Sequence, residues 1–410
     1  MARSTIFHDA DASRARESGD DVVVVLGSRR EAISLAPLIR VMTSSPRWNV
    51  SVVTTGEGLS PLARTLESLD VVATEDLGID RPGLSSDALI GRAIERTHAV
   101  VSRRRPSAMI VEGDSTTVVG ASLAAFHEGV MVAHVCSTVI VPRSRVTGVA
   151  AVAAMNARLI AQLAQLHFVP SAAVSTSLLH QGIDPHSVVI VGAPAIDNLR
   201  WILRNKPGRS QFATVNRRIL VVLRHSETVT APLDIITQVT ARLAGGVDVE
   251  IVVPLQHRLV VRSVIEGRLG SLPRVRLTGD LDYRDYVATM ESADIVITDS
   301  PSVQAEALTL HKPCVRASED LLDDYREAAA LEEDLEGRVE AIFAESRRLL
   351  DDEDHCVAAA SAHDLGLGGL AANSMELRLR SELATRGQGG RVRGDSQRAV
   401  SVASDNGRAQ

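Results

Sequence analysis

Short apolar runs alternate with amphipathic stretches along most of the chain. Residues 22–27 read VVVVLG, a continuous apolar run closed by glycine, and predict a parallel strand buried on both faces. A helix is predicted over 31–42, with Ile33, Pro37, Leu38 and Val41 toward the core. Further strands are predicted at 49–54, 108–112, 131–135 and 167–169, and 187–191 closes this first series. Helices are predicted at 87–103, 116–127 and 192–203. A second series starts with RILVVL at 218–223 and continues through strands at 249–253, 274–277, 294–298 and 313–316, with shorter helices between them.

Alternating strand and helix signals of this kind imply α/β architecture, with parallel sheets covered by helices on both faces. Two such series imply two Rossmann-like domains facing a cleft, at 21–206 and 217–365. The polar segment 207–216 reads as a linker and 366–385 as a C-terminal helix. Residues 1–20 and 386–410 are polar and poor in large apolar groups, and read as disordered tails.

Composition narrows the function classes. The chain has 410 residues, 45% hydrophobic and 23% charged, ordinary for a globular protein with a sizeable core. Aromatics are only 2%, so the core must rest on aliphatic side chains and alanine. A net charge of −7 argues against a nucleic-acid partner. No run approaches the roughly 18 apolar residues of a membrane helix, and the N-terminus lacks a signal-peptide core. Cys136, Cys314 and Cys356 are far apart, without metal or redox spacing, which suits a reducing, cytoplasmic setting. No metal or cofactor is expected.

Ligands of doubly wound sheets sit beyond the carboxyl ends of strands, so chemistry is sought there. After the first strand comes Gly27-Ser28-Arg29-Arg30-Glu31, a glycine turn opening a helix: either a plain structural turn or an anion site. Asp114 follows the 108–112 strand and reads either as a helix N-cap or as a carboxylate aimed into the cleft. Arg224, His225 and Glu227 follow the 218–223 strand, as a solvated loop or a nucleotide-binding cluster. After 294–298, Ser300 and Ser302 could meet a phosphate at a helix N-terminus, and Glu306 a ribose diol; the alternative is an ordinarily capped helix.

Taken in order, these pieces resemble the non-hydrolysing UDP-N-acetylglucosamine 2-epimerase family over about 22–383. GSRREAISLAPLI resembles its G-T-R-P-E-A-I-K-x-A-P-L, and EGDSTTVVGASLAAF its H-G-D-T-x-T-x-x-A-x-A-A-F. LDYRDYVATMESADIVITDSPSVQAEALTLHKPCV resembles P-L-D-Y-x-x-F-x-x-L-M…T-D-S-G-G-x-Q-E-E-A-x-x-L-G-K-P-V. The resemblance implies the GT-B arrangement of two Rossmann-like domains, a homodimer, and a UDP-sugar in the cleft. It implies inversion at C2 of UDP-GlcNAc to give UDP-ManNAc, by elimination of UDP to a glycal and re-addition. Such a route needs acid/base groups on two faces. Asp114 takes the catalytic aspartate position. Arg29, Glu31, Arg224, His225, Glu227, Ser300, Ser302, Gln304 and Glu306 take substrate-binding positions.

The chain departs from the pattern where further carboxylates are expected. Cys136 stands at the glutamate of H-V-E-A-G-L-R-T, and Ala153 and Ala154 at the pair in P-E-E-x-N-R. No Asp or Glu occurs between Glu128 and Asp184, so a shifted alignment restores none. Arg224 takes the histidine position of H-R-R-E-N, and Pro301 and Ser302 replace a glycine pair. An isomerase is therefore weighed against a glycosyltransferase or hydrolase using a UDP-sugar, and against a silent UDP-sugar-binding homologue or partner subunit.

Overall fold

A computed structural model of the protein describes residues 19–56, 59–79, 84–140, 148–210, 212, 217–223, 231–246, 248–255, 259–317, 335–361 and 369–386. The first series runs β1 (Asp20–Leu26), α1 (Arg29–Thr43), β2 (Trp48–Thr54), α2 (Leu59–Ser68), β3 (Glu75–Asp76), α3 (Ser86–Arg104), β4 (Ala108–Glu112) and α4 (Thr116–His127). It continues with β5 (Met131–Val135), α5 (Gly148–Leu163), β6 (Leu166–Val169), α6 (Ala172–Leu179), β7 (Val188–Ile190) and α7 (Pro194–Asn205). These strands form one seven-stranded sheet in the order β3-β2-β1-β4-β5-β6-β7, with parallel pairings throughout.

The second series is β8 (Arg218–Val222), α8 (Ala231–Gly246), β9 (Glu250–Pro254), α9 (Leu259–Leu269), β10 (Val275–Thr278), α10 (Tyr283–Glu291), β11 (Ile295–Thr298), α11 (Pro301–Thr309) and β12 (Cys314–Arg316). Its five strands make a parallel sheet in the order β10-β9-β8-β11-β12. Helices α12 (Leu335–Asp351), α13 (Glu353–Ser361) and α14 (371–386) complete the chain.

The period of two explains why both sheets need helices on both faces. In β1, Val22, Val24 and Leu26 enter the core shared with α1, α7 and α14, whereas Val23 and Val25 pack toward α3 and α4. In β8, Leu220 and Val222 join that same first core, while Ile219 and Val221 pack toward α8, α9 and α12. One apolar core thus runs from the first sheet through α10 and α11 to the second. Leu26, Leu220 and Val303 all belong to it.

Several expectations need adjusting. The tail expected over 1–20 overlaps the fold, because Asp20 opens β1 and its N–H donates to the Arg47 carbonyl at 2.8 Å. Residues 1–18 and 387–410 lie outside the described residues. The helices of the second series are not uniformly shorter: α8 has 16 residues, the length needed to lie along α12. β3 carries no apolar signal, being only Glu75 and Asp76 added at the sheet edge beside Val53 and Thr54. Within the expected linker, Gly208 packs against α10, where a Cβ would stand 2.2 Å from the Arg284 carbonyl. Finally, α14 returns to the first domain. There the Trp48 indole N–H donates to Glu376 at 3.0 Å and the Ala372 N–H to Asp197 at 2.9 Å.

Strand order reverses between β1 and β4 in the first sheet and between β8 and β11 in the second. Those two crevices are where a ligand of this architecture is held.

Candidate active site

The first crevice is built from the turns after β1 and β4. Ser28 caps α1, its hydroxyl accepting from the Glu31 N–H at 3.3 Å. The Glu31 carboxylate folds back to accept the Gly27 N–H at 2.5 Å and is only 1% exposed. This is a variant of the capping box: the serine takes the Glu31 amide, and the glutamate reaches back to the residue before the N-cap. Glu31 is therefore held against the turn that Gly27 makes. Arg29 points across to the second domain, its guanidinium 2.5 Å from Asp280.

Asp114 lies two residues beyond β4. Gly113 before it has φ +80°, a conformation that favours glycine, and Arg30 Nη2 lies where a Cβ would stand, 2.7 Å away. The N-cap of α4 is Ser115, whose hydroxyl accepts from the Val118 N–H at 3.3 Å. That leaves the Asp114 carboxylate free of capping, 25% exposed and 3.4 Å from Arg30. Asn156 of α5 donates to the Asp114 carbonyl at 3.0 Å and fixes the turn. Asp114 borders a small pocket with Thr138, Val139, Ile140, Ala153, Ala154 and Ala157.

Cys136, just past β5, is buried, and its thiol donates to the Thr138 carbonyl at 3.4 Å. Burial pushes the thiol up to about 12, opposed only by that hydrogen bond. It stays a neutral thiol at physiological pH and cannot replace a carboxylate as base. Glu112 is the last residue of β4. It is 1% exposed, and its Oε1 accepts from the Ser137 hydroxyl at 2.8 Å. Its Oε2 stands 4.0 Å from Arg30 Nε. Burial drives the Glu112 carboxyl upward, while Arg30 and the Ser137 hydroxyl pull it back. Glu128, at the far end of α4, pairs with His98 at 3.0 Å and is remote from this crevice.

In the second crevice, Ser300 is the N-cap residue of α11 and Pro301 occupies its first turn. The Ser300 and Ser302 hydroxyls are 2.9 Å apart, with Ser302 exposed and Ser300 buried. Gln304 is half-buried on the same helix. Pro301 lacks an N–H, so this helix start offers one donor fewer than a glycine pair would. Glu306 is 5% exposed, and its two carboxylate oxygens accept the Tyr283 hydroxyl at 3.0 Å and the Tyr286 hydroxyl at 2.9 Å. Arg224, His225 and Glu227 lie outside the described residues.

Asp114, Arg29 and Arg30 are thus gathered at the first crevice, and Ser300, Ser302 and Gln304 at the second. Glu31 and Glu306 are turned into the protein. A larger pocket of about 310 Å³ lies apart from both, between α1, α7 and α14, near Arg40, Trp201 and Asn373. Among the described residues, no group of three or more His, Cys, Asp or Glu side chains could hold a metal ion, and no helix is long and apolar enough to cross a membrane.

The family model described as UDP-N-acetylglucosamine 2-epimerase matches residues 40–375. The chain belongs to that family. It is 28% identical over 356 residues to the UDP-N-acetylglucosamine 2-epimerase of Salmonella typhimurium, covering 84% of this chain and 94% of the relative. It is 27% identical over 295 residues to the Bacillus subtilis protein of the same name, covering 71% of this chain and 77% of the relative. Among solved structures, the Neisseria meningitidis UDP-GlcNAc 2-epimerase bound to UDP-GlcNAc superposes with a TM-score of 0.75 at 24% identity, covering 88% of this chain and 100% of the other. The two parallel-sheet domains of the 2-epimerase fold therefore face a cleft in the GT-B arrangement.

Proposed function

We propose that the chain is a 2-epimerase of UDP-N-acetylhexosamines, interconverting UDP-GlcNAc and UDP-ManNAc by elimination and re-addition of UDP. Asp114 carries the reading: a partly exposed carboxylate, not used as a cap, at the switch point of the first sheet and on the wall of a pocket. The relatives named for this activity support it, since they align over most of the chain.

In this reading the uridine diphosphate lies toward Ser300, Ser302 and Gln304 at the α11 N-terminus, where the helix dipole favours an anion. Arg29 and Arg30 add positive charge from the opposite wall. Asp114 exchanges a proton with C2 as the C1–O bond to UDP breaks or forms. Elimination and re-addition leave the oxidation balance unchanged, so the route calls for no redox cofactor. The reading extends to a homodimer, checked by sedimentation, and to a cytoplasmic location.

A second reading is a UDP-sugar binder without C2 chemistry. Ala153 and Ala154 favour it, because they line the Asp114 pocket with methyl groups where the family pattern carries carboxylates. Incubating the protein with UDP-GlcNAc in D₂O separates the two. The epimerase gains deuterium at C2 and accumulates UDP-ManNAc. UDP binding with no exchange would leave the second reading standing.

A further inference from the structure

We propose that Glu112, acting through the hydroxyl of Ser137, is the second acid/base group of this site, facing Asp114 across the substrate C2. The proposal rests on the epimerase reading and supplies the proton-transfer group which that reading lacks.

The register of the sheet carries the geometry. Glu112 of β4 pairs with Val135 of β5, the last residue of each strand. Asp114 and Ser137 each lie two residues further on, so they occupy matching places on adjacent strand ends. Ser137 is exposed, whereas Glu112 behind it is 1% exposed. The Ser137 hydroxyl donates to Glu112 Oε1 at 2.8 Å. An exposed hydroxyl backed by a buried carboxylate is the arrangement by which a weakly acidic hydroxyl becomes a proton carrier.

A purely structural role accounts poorly for Glu112. Its Oε2 is buried with no hydrogen-bond partner among the described residues, and the nearest cation, Arg30, is 4.0 Å away. Burying a carboxylate so incompletely satisfied is unfavourable, and an apolar residue would end the strand at lower cost. Glu112 stands where the family pattern quoted above has histidine, and Arg30 where it has proline. These two departures meet in space, Arg30 reaching both Glu112 and Asp114. The carboxylate missing at Cys136 is therefore matched by one arriving from the neighbouring strand. The Arg30 guanidinium stands near both acids and offsets the repulsion between them.

On one face the C2–H bond breaks, and its proton passes to Ser137 Oγ as the Ser137 proton passes to Glu112. The C2 electron pair forms the C1=C2 bond and UDP leaves with the C1–O electron pair. On re-addition, UDP oxygen attacks C1, and C2 takes a proton from the carboxyl of Asp114 on the other face. The two groups exchange duties in the reverse direction, and each resets its proton with solvent.

The test uses the full chain and its Ser137→Ala, Glu112→Gln and double variants, with deuterium uptake at C2 of UDP-GlcNAc, UDP affinity and the pH profile of kcat/KM as readouts. Each single variant is expected to slow exchange by about 10²-fold or more, with the double variant no slower than the singles because the groups act as one unit. UDP affinity is expected to stay within about threefold, the control for uniform binding loss. The base must be ionised, so activity of the parent chain rises with pH through the raised Glu112 titration; both single variants are expected to lose that rise. Ser137→Ala takes a hydrogen-bond donor from the buried Glu112 carboxylate, so Ser137→Thr, which keeps the hydroxyl, is the control and is expected to hold exchange within about threefold of the parent. Exchange by Ser137→Ala within about threefold of the parent would overturn the relay while leaving the epimerase reading intact. No exchange by the parent chain, with UDP bound, would overturn the epimerase reading and this assignment with it.

Discussion

The Arg29 guanidinium stands 2.5 Å from the Asp280 carboxylate, tying the first turn of α1 to the turn before α10 in the other domain. Both side chains are 18% exposed, and Arg64 approaches the same carboxylate at 4.0 Å. In the proposed site, the diphosphate of a nucleotide-sugar competes with Asp280 for Arg29. Partly exposed pairs contribute up to about 1 kcal/mol, so Asp280→Asn is expected to tighten UDP binding by up to about fivefold. Titration calorimetry checks this, and an affinity that falls instead would show that Asp280 positions Arg29 for the ligand.

Glu306 depends on its two tyrosines. Tyr283 is 0% and Tyr286 3% exposed, and both hydroxyls donate to the Glu306 carboxylate. Removing one donor leaves a buried carboxylate with fewer partners, which costs about 1–3 kcal/mol. Tyr286→Phe and Tyr283→Phe are each expected to lower unfolding free energy in urea by that amount. Because they share one acceptor, their effects should not add.

The buried histidines make the first domain acid-sensitive. His134 and His167 are 1% and 0% exposed, with ring centroids 6.1 Å apart. Burial pushes His134 down to about 4, against a hydrogen bond to the Gly113 carbonyl, and His167 down to about 3, with His134 adding to the shift. An unfolded histidine titrates near 6.5. The stability from keeping both rings neutral is thus fully present above about pH 6.5 and is lost as pH falls toward their folded values. The loss approaches about 1.4 kcal/mol per pH unit for each ring. His167→Leu should flatten the fall in stability between pH 6.5 and 5, as followed by chemical denaturation at each pH. An unchanged slope would show that His167 does not contribute.

The sequence was most informative where side chains report their own surroundings. VVVVLG at 22–27 read as a strand covered on both faces, as β1 is, and β4, α4 and β5 begin and end where periodicity placed them. Asp114 was legible as a strand-end carboxylate. Whether it capped α4 was not, because serine and aspartate compete for that amide and the backbone path after Gly113 gives it to Ser115. Glu31 and Glu306 matched binding positions by order alone. In the fold their carboxylates accept from the Gly27 N–H and from two tyrosine hydroxyls, contacts that residue order does not reveal.

Local pattern was thus enough for two α/β domains, because burial periodicity is written within a few residues, while the 2-epimerase family was legible only through the resemblance of ordered motifs. The pairing of Glu112 with Ser137, the Arg29–Asp280 bridge and the return of α14 to Trp48 join residues 25, 251 and 328 positions apart. No spacing rule links such positions. Strand register and helix packing bring them together, so the placement of charge in the cleft belongs to the folded chain.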